Sequence, residues 1–400
     1  MVTIRIVHAV TSPLTLILMR GQLAYLRRSG FEVSVISSPR EAHWSLEQIA
    51  QQEQVQAVPV PMERGISPVQ DLAAAWRLYR TLRRLRPDVV NAGTPKAGLL
   101  VGLAAWLARV PVRVHTLRGL RSETSSGMKG AMLHLAELIA CRTAHRVICN
   151  SPSLRDRAIA LGLTDPRRSL VMGKGSSNGV EIARFQTNDG LVRRAAELRA
   201  YLDLPAGAPV IGFVGRLAHD KGIAELIGAF DLLRAKCQEL RLLLLGAKEA
   251  GDPLPAKVHE RLDRDPQIVC TGAVPDAAPY YQLMTVYALP TYREGFPNSV
   301  LEAQAAGLPV VTTRATGAVD SILDGVTGIL VPPGDPKALA DALQRLLEDP
   351  ELAARMGRAG RERVVRDFRP EAIWEALGTL YRDLLRERGV AVAEVAVPTK

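Results

Sequence analysis

The stretch Arg293-Glu294-Gly295-Phe296-Pro297-Asn298-Ser299-Val300-Leu301-Glu302 determines how the rest of the chain is interpreted. It follows the apolar run 287–290, which predicts a buried strand, and from Asn298 it has the pattern of a helix. A loop therefore joins strand to helix. The helix would direct its free backbone N–H groups and the positive end of its dipole at that loop, which favours an anion.

Two carboxylates flank this predicted anion site. Glu294 lies in the loop and Glu302 about one turn into the helix, so both can face a ligand held where the helix begins. Spacing alone leaves a second interpretation open, a surface loop with two solvated acids.

The size and composition of the chain predict two domains. Its 400 residues exceed the length at which a single core keeps growing, and 47% of them are apolar. Aromatic residues make up only 4%, so the cores must consist mainly of Leu, Val, Ala and Ile. The four cysteines show no paired or metal-like spacing and are predicted to be buried free thiols in a reducing compartment; they are Cys141, Cys149, Cys237 and Cys270.

The N-terminal residues have neither the charge pattern nor the cleavage site of an export signal, and none is expected. The longest weakly polar stretch, 97–107, is too short to cross a bilayer and predicts a buried helix.

Positive charge is concentrated in the first half of the chain. Residues 1–185 hold 25 Lys and Arg against 12 Asp and Glu, a net of +13, whereas the remainder holds 26 against 29, a net of −3. This asymmetry favours a partner that carries phosphate, or an anionic membrane surface, on the side of the first half.

Short apolar runs alternate with amphipathic helical segments, which predicts parallel sheets covered on both faces. The predicted strands are 4–9, 32–37, 55–59, 89–92, 112–117, 146–150, 170–172, 210–214, 242–245, 268–270, 287–289, 310–312 and 329–331. A polar stretch, 186–209, interrupts the pattern and is interpreted as a linker. The sequence thus predicts two doubly wound, Rossmann-like α/β domains, 1–185 and 186–369, with a ligand held in the cleft between them. The last residues, 389–400, are expected to be disordered.

A second loop at the same kind of position carries two cations. Strand 210–214 leads through Arg216 and Lys221 into a predicted helix, 223–235. A diphosphate needs such a pair, since arginine can hold it with two parallel hydrogen bonds and lysine acts as a point charge. Ordinary surface charges on a solvated loop are the alternative. Residues 271–276 follow another predicted strand and could offer backbone groups to a nucleotide base.

Together these motifs resemble the retaining glycosyltransferases of family 4, which have the two-domain GT-B fold. The resemblance lies in Gly215-Arg216-Leu217 with Lys221-Gly222, Thr271-Gly272, Glu294-Gly295-Phe296-Pro297 through Leu301-Glu302-Ala303, and Gly307-Leu308-Pro309-Val310-Val311. The first half is similar to the branch that assembles bacterial polysaccharides at 91–98, 116–121 and 173–180, so the resemblance covers nearly the whole chain.

The resemblance implies that the first domain, 1–185, binds the acceptor and that the second, 186–369, binds a nucleotide sugar. Arg216 and Lys221 would neutralise the leaving diphosphate, Glu302 would bind the ribose hydroxyls and Glu294 the hydroxyls of the donor sugar. Backbone groups would complete the site, at the base from Thr271, Gly272 and Val274, and at the sugar and phosphate from Gly295, Phe296, Pro297, Asn298 and Ser299. Glycosidases that retain configuration by double displacement use two carboxyls about 5 Å apart. The family is instead thought to react from the front face of the sugar, so Glu294 is predicted to bind and to act electrostatically, and not to be a nucleophile. No metal ion and no cofactor beyond the nucleotide sugar are expected.

The first domain departs from the family pattern in two places. The loop after the first strand, 11–15, lacks glycine, and Arg118 occupies the position at which many members have histidine. Arg118, Arg121 and Lys96 are the candidates for a contact with the diphosphate, and surface charges are the alternative. His115 is predicted to be a core histidine. The family also implies that a C-terminal helix, 370–388, crosses back to the first domain.

Two other motifs are interpreted as structural. The spacing of Gly173, Gly175 and Gly179 imitates a dinucleotide fingerprint but comes after the last strand of its domain, which argues against a nicotinamide enzyme. Asp263 and Asp265 imitate a metal-binding acid pair but end a predicted helix, and they are predicted to be surface acids.

The predicted function is therefore metal-independent, retaining transfer of a sugar from a nucleotide diphosphate to a lipid-linked glycan in cell-surface polysaccharide assembly. The first donor expected, by resemblance, is a UDP-linked N-acetylhexosamine or hexose, and the expected acceptor is linked to a polyprenyl diphosphate. A GT-B nucleotide-sugar epimerase and a non-catalytic scaffold that binds a nucleotide sugar remain as alternatives. No nucleic-acid partner is expected.

The arginines of 71–86, with Arg20, Arg27 and Arg28, are predicted to hold the first domain at the inner, cytoplasmic face of the cell membrane. In the same segment Leu72, Trp76, Tyr79, Leu82 and Leu85 are predicted to pack on the sheet.

Overall fold

The computed structural model describes residues 3–41, 44–63, 65, 67–249 and 251–391. The chain divides into two compact units: unit 1 comprises residues 1–178 and 370–400, and unit 2 comprises residues 179–369. The predicted boundary at 185 lies seven residues too late. The reason is local, because the Val180 N–H donates to the Phe368 carbonyl at 2.9 Å and the Phe185 side chain joins the core of unit 2. Of the tail expected to be disordered, 392–400 lie outside the described residues.

Unit 1 contains a seven-stranded sheet in the order β5-β2-β1-β6-β7-β8-β9, in which every pair is parallel. Its strands are β1 Ile4–Ala9, β2 Phe31–Ser37, β5 Gln56–Pro59, β6 Val89–Ala92, β7 Val112–Leu117, β8 Arg146–Cys149 and β9 Ser169–Val171, with an unpredicted antiparallel pair of two-residue strands, β3 Arg40–Glu41 and β4 Trp44–Ser45. Its helices are α1 Leu14–Ile17, α2 Gln22–Arg28, α3 Leu46–Glu53, α4 Pro68–Leu85, α5 Pro95–Leu107, α6 Gly127–Thr143, α7 Pro152–Ala160 and, from the C-terminal end of the chain, α15 Pro370–Glu387.

The two faces of this sheet carry different helices. Ile4 and Ile6 of β1 share a core cluster with residues of α2 and α15, whereas Val7 and Ala9, which point the opposite way, share a cluster with residues of α4 and α5. Helices α2 and α4 therefore cover opposite faces of the sheet. The C-terminal helix α15 belongs to unit 1.

Helix α4 packs through a different stripe from the one predicted. Ala74, Leu78 and Leu82 are buried, whereas Leu72 is 75% exposed and Trp76 is 60% exposed. The prediction was wrong for these two residues because the helix has two apolar stripes, and the stripe of Ala74, Leu78 and Leu82 is the one that packs on the sheet.

Unit 2 contains a six-stranded parallel sheet in the order β12-β11-β10-β13-β14-β15. Its elements are α8 Asp189–Tyr201, β10 Val210–Val214, α9 Ile223–Arg234, β11 Arg241–Leu245, α10 Ala256–Arg264, β12 Ile268–Gly272, α11 Ala278–Tyr281, β13 Val286–Leu289, α12 Asn298–Ala305, β14 Val310–Thr313, β15 Ile329–Val331, α13 Pro336–Glu348 and α14 Pro350–Asp367. The stretch 186–209 is thus no plain linker, because α8 lies within it. The Asn188 side chain caps that helix at the Leu191 N–H, 2.9 Å away.

The cysteines are all free, but only Cys141 and Cys149 are buried. Cys270 is exposed, contrary to the prediction, because β12 is an edge strand of its sheet. Among the helices that the structure describes, none combines the length and the apolar character needed to cross a membrane.

Candidate active site

The predicted donor residues follow the two central strands of unit 2. From β10 the chain proceeds to β11 and β12 on one side of the sheet, and from β13 it proceeds to β14 and β15 on the other. Arg216 and Lys221 follow β10, and Glu294 follows β13. Ligands of open parallel sheets bind beyond the carboxyl ends of the strands at such a reversal of strand order. The topology therefore brings two loops that are distant in sequence to one binding position.

The loop that carries Glu294 is held by its own unit. The Glu294 N–H donates to the Thr316 carbonyl at 2.8 Å. Gly317 lies against the same segment with a φ of +76°, and a Cβ there would come within 2.4 Å of the Glu294 carbonyl oxygen. Glycine is thus required both by the backbone conformation and by the close approach of the two loops.

Lys221 and Glu294 form a direct ion pair. Lys221 Nζ lies 2.5 Å from Glu294 Oε1, and both side chains are only about one-seventh exposed, at 14% and 13%. A charge-assisted hydrogen bond in so shielded a position is stronger than one in water. The pair fixes a cation and a carboxylate together beside the start of α12, whose positive dipole end faces the same loop.

Arg216 belongs to a second group of charges. Its Nη1 donates to Glu249 Oε2 at 2.9 Å, and its Nη2 lies 3.8 Å from Asp220 Oδ2. Asp220 is buried and also accepts from Arg293 Nη2 at 2.7 Å. Burial lowers the pKa of Arg216, but the carboxylates of Asp220 and Glu249 outweigh that and raise it. The Arg216 side chain is 46% exposed, so it stays accessible to a ligand while the two carboxylates fix its position.

Two buried tyrosines support the first turns of α12. Tyr281 donates to Glu302 Oε2 at 2.9 Å, and Tyr287 donates to Ser299 Oγ at 2.8 Å. Burial raises the pKa of the Glu302 carboxyl, which remains partly exposed. Glu302 and Ser299 are therefore held in fixed positions on the helix.

The remaining predicted contacts of unit 2 lie at the same edge. Thr271 and Gly272 end β12, and Gly272 has a φ of +69°. The side chain of Val274 packs against the core, and so does that of Phe296, whose ring lies 5.4 Å from that of Phe368. Phe296 is buried and can offer a ligand only its backbone groups, whereas Val274 is partly exposed. Gly295 and Pro297 complete the loop, and Asn298 begins α12.

The three unit 1 candidates have different surroundings. Arg118 follows β7 and is half-buried, with Nη1 inaccessible to solvent and Nε donating to the Gly93 carbonyl at 2.9 Å, and desolvation lowers its pKa to about 10. Lys96 is paired with Asp71 at 2.5 Å, and Arg121 is exposed. The glycine-free loop after β1 is closed by Thr11, whose hydroxyl lies 2.7 Å from that of Thr94. Of the three, Arg118 is the one without a carboxylate partner or full exposure, and all three belong to unit 1.

The residues that the sequence predicted to be structural are His115, Asp263 and Asp265. His115 is buried, its Nδ1 lies 2.9 Å from the Ala92 carbonyl oxygen, and burial lowers its pKa to about 4. Asp263 pairs with Lys248 at 2.8 Å on the surface. Asp265 is not a surface acid as predicted, because Arg234 and Arg261 cover it, each 2.7 Å away. In the part of the chain that the structure describes, no three His, Cys, Asp or Glu side chains are grouped so that they could hold a metal ion.

Sequence reasoning missed the residues that hold the site in place. Asp220, Glu249, Tyr281 and Tyr287 all contact predicted site residues. Of these four, only Asp220 could have been found from the sequence. It lies between Arg216 and Lys221, the two predicted phosphate-binding cations, and a carboxylate at that position needs a cationic partner. Glu249 pairs with Arg216 from a loop 33 positions away, which no spacing rule predicts.

Comparison with known proteins identifies relatives of both units. A model for glycosyl transferases group 1 matches residues 208–349, and a model for a glycosyl transferase 4-like domain matches residues 18–175. The chain is 36% identical over 383 residues to the capsular polysaccharide biosynthesis glycosyltransferase CapM of Staphylococcus aureus, covering 96% of this chain and 98% of CapM. It is 24% identical over 325 residues to an Escherichia coli enzyme named UDP-Gal:alpha-D-GlcNAc-diphosphoundecaprenol alpha-1,3-galactosyltransferase, covering 80% and 82% of the two chains.

Among solved structures, that of Anabaena HepE in complex with UDP and glucose matches with a TM-score of 0.78 and 20% sequence identity, covering 95% of this chain and 99% of HepE. At 20% sequence identity, this match shows similarity of the fold alone. The fold and the sequence matches together show that the chain is a glycosyltransferase of the GT-B fold and belongs to glycosyltransferase family 4.

Proposed function

We propose that this glycosyltransferase moves a hexose or N-acetylhexosamine from a UDP-linked donor to a lipid-linked glycan, with retention of configuration, in the assembly of a cell-surface polysaccharide. The observation that carries the proposal is the Lys221–Glu294 pair at the start of α12. It puts a cation for a phosphate and a carboxylate for sugar hydroxyls at one position beyond the sheet.

Each group of the site has a distinct task in this proposal. Arg216 and Lys221 neutralise the charge that develops on the diphosphate as the glycosidic bond breaks, and the N-terminus of α12 adds its dipole. Two fixed cations can do this without a metal ion. Glu302 binds the ribose hydroxyls. Glu294 already accepts a hydrogen bond from Lys221, and its other oxygen can accept from a sugar hydroxyl.

In the front-face route, the bond between the anomeric carbon and the phosphate oxygen breaks while the acceptor oxygen bonds to the same face. The acceptor proton passes to the departing phosphate oxygen. No carboxylate is needed as a nucleophile, which fits the engagement of Glu294 by Lys221.

Relatives support the choice of donor and acceptor. CapM is named for capsular polysaccharide biosynthesis, and the name of the Escherichia coli enzyme specifies a UDP-sugar and a diphosphoundecaprenol-linked sugar. HepE was solved with UDP and glucose. A polyprenyl diphosphate acceptor requires an enzyme that works at a membrane surface.

The membrane contact is proposed to lie on α4, α5 and α6 of unit 1, at the inner face of the cell membrane. Helix α4 packs on α5, and α5 packs on α6. Leu72 and Trp76 of α4 are exposed, and Met128 of α6 is 82% exposed. All residues of these three helices are described, and their only acids, Asp71 and Glu137, are engaged by Lys96 and by Ser122. Basic and exposed apolar groups without free acids suit an anionic lipid surface.

This proposed surface includes only some of the arginines that the sequence predicted to contact the membrane. The arginines of α4 are on the proposed surface, but Arg27 and Arg28 are on α2, which covers the opposite face of the sheet. One planar membrane surface cannot contact both helices.

A transfer assay tests the function. The full chain is incubated with a panel of UDP-sugars and polyprenyl diphosphate-linked acceptors, the product is detected by mass spectrometry, and its anomeric configuration is read by NMR. A product with the configuration of the donor sugar is expected. Inverted product would exclude retention, a changed sugar nucleotide without acceptor would favour the epimerase, and UDP-sugar binding without turnover would favour the scaffold.

A further inference from the structure

The cations of the candidate donor site are already matched by carboxylates of unit 2. Among the described residues, three ion pairs lie in the loops after β10, β11 and β13: Arg216 with Glu249 at 2.9 Å, Lys221 with Glu294 at 2.5 Å, and Arg293 with Asp220 at 2.7 Å. As a set, these pairs carry no net charge. A diphosphate that binds Arg216 therefore adds its negative charge to loops whose positive charge is already balanced.

Two of the three carboxylates have tasks of their own. Asp220 is buried, and its carbonyl oxygen accepts two hydrogen bonds, at 2.9 and 3.0 Å, from the segment just before Glu294, so it holds two loops together. Glu294 is the proposed partner of the sugar hydroxyls. Glu249 differs from both, because it comes from a third loop and pairs with Arg216, which is the most exposed of the three cations.

The backbone keeps Glu249 beside Arg216. The Leu217 N–H donates to the Ala247 carbonyl at 2.9 Å, and the Glu249 N–H donates to the Leu217 carbonyl at 3.1 Å, which continues the pairing of β10 with β11 into the loops. Gly246 permits this approach, because a Cβ there would lie 1.8 Å from the first carbonyl oxygen after β10. Rotation of the Glu249 side chain can break the ion pair, but its charge remains next to Arg216.

The charge of the bound nucleotide changes during transfer. Both phosphates of a UDP-sugar are diesters and carry about two negative charges together. When the sugar leaves, the β-phosphate becomes terminal and gains a second ionisation with a pKa of about 6, so UDP carries about one more negative charge. A carboxylate beside Arg216 therefore repels the product more strongly than the donor.

We propose that Glu249 determines how tightly the donor site holds its product, because its carboxylate weakens the binding of UDP more than that of the UDP-sugar and so speeds release. The inference rests on the proposed function, which supplies the UDP-sugar and its contact with Arg216. Glu249 acts through the charge that it places beside Arg216 and needs no contact with the nucleotide.

The variant Glu249→Gln removes this charge and keeps an oxygen that can accept from Arg216. Two unit charges about 6 Å apart change a binding constant by about threefold in water and about a hundredfold near a protein surface. By calorimetry at about pH 8, Glu249→Gln should bind UDP about tenfold more tightly than the wild type, UDP-glucose by a smaller factor, and uridine, which has no phosphate, equally. Weaker or unchanged UDP binding would show that Glu249 only positions Arg216 and would overturn the proposal. An equal gain for all three ligands would overturn it too.

Two further variants control for the loss of an ion pair. Glu260→Gln removes the carboxylate of another arginine–glutamate pair of unit 2, that of Glu260 with Arg264 on α10, and should leave UDP affinity unchanged. Glu249→Asp keeps the charge and should bind UDP with nearly wild-type affinity; a gain as large as that of Glu249→Gln would assign the effect to geometry and refute the role of charge. If Glu249→Gln does not fold, Glu249→Ala should show a gain in the same direction, and no gain would refute the proposal.

Product inhibition gives a readout that a purely structural role would not move. In the transfer assay the inhibition constant of UDP should fall about tenfold in Glu249→Gln, while the KM for the UDP-sugar falls by less. Dissociation of UDP, followed by stopped flow, should slow by a similar factor, since affinity changes within one site appear mainly in the dissociation rate. Unchanged inhibition by UDP would contradict the proposal.

The failure of the proposed function gives a different pattern. A wild-type chain that binds no UDP refutes the donor assignment, and pyrophosphate then replaces UDP in the titration. Tighter pyrophosphate binding by Glu249→Gln, but not by Glu260→Gln, would still support Glu249 as a carboxylate that weakens anion binding at Arg216. Equal affinity in the wild type and both variants would refute it.

Discussion

Gly317 packs against the backbone of the loop that carries Glu294. Replacing it with alanine tests whether the position of that loop sets the rate of transfer. At φ +76° an L-residue costs about 1–2 kcal/mol relative to glycine. The new Cβ would also lie 2.4 Å from the Glu294 carbonyl oxygen and 2.7 Å from that of Gly295, and such overpacking costs about 1–3 kcal/mol more. The neighbouring atoms are backbone, so the loop itself has to move.

Gly325 is the matched control for this variant. It has a φ of +73°, and a Cβ there would meet no atom within 4 Å, so Gly325→Ala carries the conformational cost without the clash. Urea unfolding should therefore show Gly317→Ala to be less stable than Gly325→Ala by about 1–3 kcal/mol.

The kinetic expectation is sharper. A displacement of about 1 Å of a substrate-positioning group costs on the order of a hundredfold in rate, so kcat should fall by about that factor in Gly317→Ala and stay near the wild-type value in Gly325→Ala. The affinity for UDP should change less than kcat, because Arg216 and Lys221 follow β10 and are not on the displaced loop. Equal stability losses in the two variants, or an unchanged kcat in Gly317→Ala, would refute the reasoning.

Three further predictions concern the site, the core and the surface. Glu294→Gln should lower kcat about a hundredfold or more with a small change in UDP affinity, whereas Arg216→Ala should lower both kcat and UDP affinity. Transfer kinetics and UDP calorimetry measure the two quantities. Near-normal transfer by both variants would contradict the assignment of the donor site. Burial lowers the pKa of His115 from 6.5 to about 4, so the stability that the neutral ring contributes is present above pH 6.5 and is lost as the pH falls towards 4. The melting temperature of His115→Gln should therefore fall less than that of the wild type between pH 6.5 and pH 4. Parallel curves of melting temperature against pH would contradict the assignment of His115 as a neutral core residue. Trp76→Ser should reduce co-sedimentation of the full chain with anionic vesicles at low salt, whereas Arg27→Gln, on the opposite face, should not; equal effects of the two, or equal binding to neutral vesicles, would contradict the proposed surface.

The alternation of apolar runs and helical patterns predicted the fold because it reports a local property. A strand buried on both faces is apolar throughout, and strands such as Ile4–Ala9 and Val210–Val214 lie where the pattern placed them. The two-residue strands Arg40–Glu41 and Trp44–Ser45 are too short to leave a pattern.

The features that sequence could not supply are those set by tertiary contacts. Whether Leu72 or Leu78 of α4 faces the sheet depends on the sheet, because both lie on apolar stripes of the helix. Lys221 and Glu294 were predicted to serve one ligand, but their direct pairing joins positions 73 apart and follows from the adjacency of β10 and β13. The unfilled hydrogen bond at Arg118 Nη1 is likewise a tertiary feature that only coordinates reveal.

The membership of α15 in unit 1 has a consequence for biosynthesis. Unit 2 is one continuous segment, 179–369, and can form as soon as it has left the ribosome, whereas unit 1 needs residues from both ends of the chain. Until 370–387 are made, Leu26 of α2, Phe31 of β2 and the partners of Tyr381 stay uncovered. At about 5–20 residues per second, synthesis of unit 2 prolongs that interval to on the order of ten seconds or more. The first half of the chain is thus the last to be completed, and during that interval its apolar sheet face is the part of the nascent protein most in need of a chaperone.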